Sequence, residues 1–264
     1  VFELLRGLEE YIHTYLALTN PEASHWSAAL KSHAQLLRMF RVRQPFSLIL
    51  AAHRVLPDDQ FSMVLRACVM IAFRYNVIGN QPTNEQERVY YAAAQRLNSG
   101  ASTSAAQALE SLQEIYPKDD AFKAVFAEKV IRTTDSCNNR IVRYILCELE
   151  RQHSGQDNDF ESDTFNVEHV LPQNPEVGWE QFTDEDAEAM VYRIGNMALL
   201  AKGDNKKIGN ETYAVKRPVL QASGFSLTQK LGEENARWTA DRIAARQKLL
   251  AKLATAVWRI DQLS

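Results

Sequence analysis

From its first residue to about residue 152 the chain repeats apolar side chains at helical spacing with only three glycines to interrupt it, and the other seven of its ten glycines come later. Phe2, Leu5, Leu8, Ile12 and Leu16 recur every three or four positions, as one face of an amphipathic helix does. Asn20 before Pro21 reads as an N-cap followed by proline at the first helical position, where its missing N–H costs nothing. Asp58 or Asp59 can cap a helix carrying Val64, Leu65, Val69 and Met70. Thr83, with Glu85 and Glu87 behind it, opens another that Gly100 can close. Further helical patterns run over about 104–116, 120–132 and 138–152. No internal repeat emerges. The expectation is a mainly α protein whose first part is a helical bundle.

The texture changes near His153. The polar, turn-rich run Ser154-Gly155-Gln156-Asp157-Asn158-Asp159 is a candidate boundary, giving a helical bundle or linker domain over 1–152 and a second domain over 153–264. In the second, Thr164 to Leu171 alternates apolar and polar residues as a short strand does, and Pro172 must end or edge it. Ile194, Met197, Leu199 and Leu200 suggest a second strand. Helical pattern returns after Asn205, first in a short element reaching Tyr213–Arg217. A longer one is then expected from Glu233 to Trp258, turning Trp238, Ile243, Leu249, Leu250, Leu253 and Val257 towards a core.

Composition narrows the class. A chain of 264 residues with 45% hydrophobic and 24% charged residues can bury a substantial core and does not read as disordered. Its longest apolar stretch, 61–73, is broken by Arg66 and falls short of the roughly 20 residues that a membrane helix needs, so no membrane association is expected. No basic-then-apolar leader opens the chain, and Val1 stands first, which suggests a piece of a longer protein. Cys68, Cys137 and Cys147 lack CxxC spacing, which argues against a structural zinc and for a reducing, cytoplasmic setting. The net charge of −3 hides an uneven distribution. Eleven acidic residues and no Lys or Arg lie between 155 and 190, whereas 202–217 carries net +3 and 237–259 net +5. Clustered positive charge can bind a polyanion on a mildly acidic protein, although surface charge is more often merely solvated.

Three segments carry the chemistry: Glu168-His169-Val170-Leu171-Pro172-Gln173-Asn174, then Gly195-Asn196-Met197-Ala198-Leu199-Leu200, then Gly203-Asp204-Asn205-Lys206-Lys207. Together they read as strand, loop, strand, turn and helix, with an acid and a histidine at the end of the first strand. Asn196 stands on or near the second strand, and Asn205 at the start of the helix.

This arrangement resembles the HNH, or His-Me finger (ββα-metal), nuclease motif, and more narrowly the C-terminal nuclease domain of GmrSD-type modification-dependent restriction endonucleases. Besides the three segments, the resemblance rests on Tyr213 and Lys216, on the closing W-x-x-x-x-I-x-x-R from Trp238 to Arg246, and on Asn139-Arg140-x-x-Arg143-Tyr144-Ile145-Leu146 just ahead of the finger. It covers about residues 100–260. It implies a small ββα-metal finger followed by C-terminal helices, DNA as partner, a role in restriction or anti-phage defence, and a covalently linked N-terminal ParB-like, nucleotide-hydrolysing domain of which nothing is seen in this sequence.

The residue types suit such a reaction. A neutral imidazole, with an ordinary pKa of about 6.5, can deprotonate water near neutral pH, which makes His169 the candidate general base. Charge building on a phosphodiester is best met by a hard divalent cation, Mg²⁺ or Mn²⁺, with oxygen ligands, for which Glu168 and Asn205 are candidates. Asn196 is placed to fix the His169 ring or the loop that bears it. Lys206, Lys207, Lys216, Arg140 and Arg143 are candidates for holding nucleic acid. The reading is a Mg²⁺-dependent DNA endonuclease or nickase. Two others stay open: a non-catalytic nucleic-acid-binding module on the same scaffold, and an RNA-cleaving nuclease. Each residue also has a structural reading: an edge charge for Glu168, a turn for Asn196, a helix cap for Asn205 and a solvated face for the lysines. His13, His25, His33, His53 and His153 show no ligand spacing and are read as structural, and Trp179, Trp238 and Trp258 as core or loop anchors. The acidic loop 175–190 would repel DNA, so it is expected to point away from the site or to gate it.

Overall fold

The computed structural model describes residues 2–263, with side chains described for Glu9 and from Tyr11 onward. The protein is mainly helical, with one small two-stranded antiparallel sheet among the helices. By compactness it divides into two units, one formed by residues up to 122 together with those from 258, the other by residues 123–257.

The first unit holds α1 (Phe2–Thr19), α2 (Ala28–Met39), α3 (Phe46–Val55), α4 (Asp58–Ile71), α5 (Thr83–Asn98) and α6 (Ala105–Glu110). The helix expected at the start of the chain forms, but Phe2, Leu5 and Leu8 lie outside the described side chains, and Ile12 and Leu16 are each 54% exposed. Asn20 does precede a proline-led turn, Pro21–Ala23, but without a side-chain cap bond. Pro57, not an aspartate, occupies the N-cap of α4, and Asp58 and Asp59 fall in its first turn, where negative charge suits the helix dipole.

Helix α4 runs on into a π-helical turn, Ala72–Ile78. The continuous helix Asp58–Ile78 is therefore long and apolar enough to cross a membrane by length and composition, contrary to the expectation drawn from the broken apolar run. Phe61, Val64, Leu65, Cys68, Val69 and Phe73 are all buried in the protein, as they are in a core helix hydrophobic on most faces. Arg74, fully buried, is satisfied by the carbonyls of Trp258 and Pro117 at 2.6 and 2.8 Å and by Asp119 at 2.8 Å. Trp258 stacks on Phe73 with ring centroids 4.0 Å apart.

A further helix, α7 (Asp119–Glu128), spans the division. The second unit holds α8 (Ser136–Ser154), β1 (Phe165–His169), α9 (Asp184–Met190), β2 (Met197–Ala201), α10 (Lys202–Ile208), α11 (Tyr213–Gln221), α12 (Ser226–Glu234) and α13 (Ala240–Val257). By compactness the division comes before α8, and the turn-rich run at 154–159 lies within the second unit. Helix α8 packs on both strands, on α12 and on α13, and its Glu150 carboxylate accepts the Ser226 and Leu227 amides at 2.7 and 2.9 Å, satisfying the start of α12. The turn at 155 is real: Gly155 ends α8 in the left-handed conformation, φ 77°. It marks a helix end inside the unit.

The single helix expected from Glu233 to Trp258 is broken. Helix α12 stops at Glu234, and α13 restarts after Thr239, whose hydroxyl accepts the Arg242 amide at 3.4 Å. Trp238, Ile243 and Leu250 face the core as expected, Leu253 and Val257 are half-buried, and Leu249 is exposed. The core against the sheet is made by Val170, Leu171, Trp179, Leu200, Trp238 and Ile243.

Candidate active site

Strands β1 and β2 pair antiparallel with His169 opposite Met197 and Glu168 opposite Ala198, and α10 follows β2 directly and packs on both strands. Strand, strand and helix therefore come in the expected order. Side chains alternate across a strand, so Glu168 and His169 leave β1 on opposite sides.

The 27-residue excursion between the strands, 170–196, is closed by Asn196. Its side chain is fully buried. Oδ1 accepts the Leu171 amide at 2.8 Å and the Trp238 indole N–H at 3.0 Å, while Nδ2 donates to the carbonyls of Leu171 and Val191 at 2.9 and 3.0 Å. Its backbone carbonyl takes the Val170 amide at 3.0 Å. Its side-chain bonds thus go to Leu171 and Val191, at the two ends of the excursion after His169, and to Trp238, not to the imidazole.

The closing motif clamps the same turn from α13. Arg246 donates to the carbonyls of Gly195 and Met197 at 2.8 and 2.7 Å. Gln247 Oε1 accepts the Gly195 amide at 3.0 Å, and its Nε2 donates to the carbonyls of Phe126 and Lys129. Gly195 sits so close to α13 that a Cβ there would meet the Ile243 carbonyl at 2.3 Å, which is why glycine precedes Asn196.

His169 is half-buried at the end of β1. Its Nε2 lies 3.0 Å from the Thr133 hydroxyl and 3.4 Å from the Gln173 amide nitrogen, and the Gln173 amide also donates to Thr133 Oγ1 at 3.3 Å. Tyr192 meets the imidazole edge-on with ring centroids 6.0 Å apart, and the Arg132 guanidinium lies over the Tyr192 ring at 5.5 Å. Burial, with the Lys216 charge adding to it, lowers the His169 pKa to about 4. The ring is therefore neutral at neutral pH.

On the other side of β1, Glu168 is buried with Lys216. The ammonium lies 2.5 Å from Glu168 Oε1, 3.0 Å from the His169 carbonyl and 5.9 Å from the centre of the Trp179 ring. Burial pushes the carboxyl up and the ammonium down, and each change is opposed by the attraction between the two.

This corrects the expectation for Lys216, whose side chain is 0% exposed. It is an interior cation committed to Glu168 and does not present its charge to a nucleic-acid backbone. Asn205 is not the start of its helix: α10 begins at Lys202, and Asn205 is its fourth residue, half-buried, with Nδ2 donating to the Val167 carbonyl at 3.4 Å. Lys206 and Lys207 are exposed, with Lys207 paired to Asp204 at 2.9 Å. Arg140 pairs with Glu161. Arg143 donates to the Ser162 carbonyl and lies 4.8 Å over the Phe165 ring, so it serves the packing of the strand's start. The loop 175–190 is anchored through buried Trp179 and Phe182, and its acidic helix α9, capped by Thr183, keeps Asp184 and Glu185 exposed.

Residues 116–253, just over half the chain, match the C-terminal domain of GmrSD restriction endonucleases. The chain belongs to this family. Among curated proteins, none matches it. The GmrSD match begins ahead of α7 and ends within α13, so it takes in both Thr133 and the clamp around Asn196. In this family the domain is the C-terminal part of restriction endonucleases, a nuclease module of enzymes that act on DNA.

Sequence reading did not find Thr133, Tyr192 or Gln247. Gln173 stood within the Glu168–Asn174 string without a role. Nothing in sequence spacing connects Thr133 to a histidine 36 positions later; the antiparallel bridge of Val130 with Arg193 and the Ile131 amide's bond to the Tyr192 carbonyl bring them together.

Proposed function

We propose that this domain is a metal-dependent DNA endonuclease or nickase in which His169 is the general base that activates water against a phosphodiester. The observation that carries the reading is the environment of the imidazole, which is held at a strand end between Thr133, Gln173 and Tyr192. A neutral ring can accept a proton at pH 7, which an imidazolium cannot. Asn196 and the α13 clamp contribute by fixing the backbone on which the ring is mounted, since a displacement of about 1 Å at a reacting group can cost 10²-fold in rate.

The donor set around β1 suits one hard cation. Glu168 supplies a carboxylate of which Oε1 is engaged by Lys216, and Asn205 supplies an amide oxygen beside the strand, its nitrogen on the carbonyl of the residue before Glu168. Among the described residues no three His, Cys, Asp or Glu side chains gather as a ligand cage, so such an ion would complete its shell with water and phosphate oxygens, as Mg²⁺ commonly does. When bound, it would stabilise charge on the phosphate and the leaving oxygen. The chain's own share is to hold the oxygens, with Lys216 setting how much negative charge Glu168 offers. Exposed Lys206, Lys207 and Arg132 supply positive charge for the backbone, and restriction of invading DNA is the corresponding role.

The test is cleavage of plasmid DNA, modified and unmodified, by the full-length protein with Mg²⁺ or Mn²⁺. Nicked or linear product is expected, lost with EDTA and in His169→Ala. Cleavage that survives His169→Ala would overturn the reading. The capture of Glu168 by Lys216 favours one rival, a nucleic-acid-binding module without catalysis. That rival predicts DNA binding indifferent to EDTA and no product at all.

A further inference from the structure

We propose that Thr133 is a positioning residue for His169: its hydroxyl oxygen accepts the Nε2 proton, so that the ring carries its hydrogen on Nε2 and leaves the lone pair of Nδ1 to act on water. This rests on the reading of His169 as general base and adds to it the nitrogen that works and the residue that selects it.

Three distances define a small triangle. Thr133 Oγ1 stands 3.0 Å from His169 Nε2 and 3.3 Å from Gln173 Nε2, and the two nitrogens are 3.4 Å apart. A hydroxyl oxygen has two lone pairs. One takes the Gln173 amide hydrogen and the other takes Nε2–H. At 3.4 Å the two nitrogens are further apart than a normal hydrogen bond between them would be, and the spacing fits two donors converging on one acceptor. With Nε2 engaged in this way, the neutral ring has its lone pair on Nδ1. The opposite tautomer would place an N–H at Nδ1 and leave no base there.

Thr133 can impose this because it is itself held. It is 8% exposed and lies at the end of a segment pinned at every step. The Lys129 carbonyl accepts Gln247 Nε2 at 2.8 Å. Val130 pairs with Arg193, and the Ile131 amide bonds the Tyr192 carbonyl at 3.0 Å. The Arg132 carbonyl accepts Asn138 Nδ2 at 2.9 Å. Through Gln247 the same segment is tied to the Gly195 turn. The residue that orients the ring and the residues that fix its backbone therefore belong to one hydrogen-bonded frame, and the segment 129–133 that follows α7 forms a wall of the site.

The experiment uses long-range ¹H–¹⁵N correlation spectra of the histidine ring in full-length protein at pH 7, the signal assigned by its loss in His169→Ala, together with cleavage kinetics. The wild type should show a neutral ring protonated on Nε2. Thr133→Val, nearly isosteric but without an acceptor, should give a mixture of tautomers and a fall in kcat of about 10-fold or more, the size of effect seen when partners that orient a histidine are lost. Thr133→Ser should restore both, and thermal melts of the two variants separate this from unfolding. A wild-type ring protonated on Nδ1, or a folded Thr133→Val with unchanged tautomer and rate, overturns the proposal. Cleavage unaffected in His169→Ala would instead sink the general-base reading, whatever the tautomer.

Discussion

Lys216 places its ammonium 2.5 Å from the carboxylate of Glu168, with side chains 0% and 6% exposed. Removing one member of such a pair strands a charge in the interior, at a cost of about 3–5 kcal/mol. Lys216→Met and Glu168→Gln should therefore each destabilise the protein strongly. The double variant should lose less than the sum, because it leaves no unpaired charge. Urea melts of the four proteins form a cycle that measures this coupling. Simple additivity would mean that the pair is not a unit.

Asn196 makes four buried side-chain hydrogen bonds, two accepted and two donated. In Asn196→Ala all four partners lose their bonds, and each buried group left unsatisfied costs about 1–3 kcal/mol. A loss of several kcal/mol is expected, with a change in Trp238 fluorescence as its indole N–H loses its acceptor. Asn196→Asp keeps the acceptor but sets a carboxylate oxygen against the Leu171 and Val191 carbonyls, so it should not rescue. If either variant melts like the wild type, the side chain does not close the loop.

The position of Gly195 makes a third expectation. An added methyl would lie 2.3 Å from the Ile243 carbonyl and 2.8 Å from Gln247 Cβ. The carbonyl belongs to the backbone of α13 and cannot swing aside, so Gly195→Ala must push the turn away from the helix. Overpacking of this kind costs about 1–3 kcal/mol. A lower melting temperature is expected, with reduced cleavage because the displaced turn carries Asn196. Gly203→Ala, where nothing lies within 4 Å of the added carbon, is the matched control.

What could be read from the sequence was what is local. The alternation in Thr164–Leu171 and the apolar residues of Met197–Leu200 gave both strands, because period-two patterning follows from the strand backbone itself. Trp238, Ile243 and Arg246 could be recognised as a motif, but not as a clamp on Gly195 and Met197, since that depends on how α13 meets the turn. Lys216 was misplaced for a similar reason. Nothing in Tyr-Ala-Val-Lys-Arg distinguishes an interior lysine from a solvated one until Glu168 is known to lie opposite. The turn-rich run near 155 is hard to weigh as a boundary, because a glycine that ends a helix looks the same inside a compact unit as between two. Thr133 could not have been found at all, since its partner is fixed by the bridge between Val130, in the segment after α7, and Arg193.

The histidine ring supplies the last expectation, on pH. Burial holds the folded-state pKa of His169 at about 4, against an ordinary value of 6.5. Between those values the unfolded chain binds a proton that the folded one does not. By linkage, the stability associated with this neutral ring is fully present above about pH 6.5 and is lost as pH falls towards 4. Glu168 acts in the opposite sense. Its raised pKa makes the folded state the better proton acceptor above the ordinary carboxyl range, so it favours the fold on acidification. Comparing wild type with His169→Gln across pH 4–7 isolates the imidazole: the wild type should lose stability relative to the variant as pH drops. Catalysis should follow the same group. The acid limb of kcat/KM should fall well below pH 6.5, because the base in the free protein remains unprotonated there. A limb at 6.5 or higher would mean that the working base is not the buried ring beside Thr133, or that the ring opens to solvent before it acts.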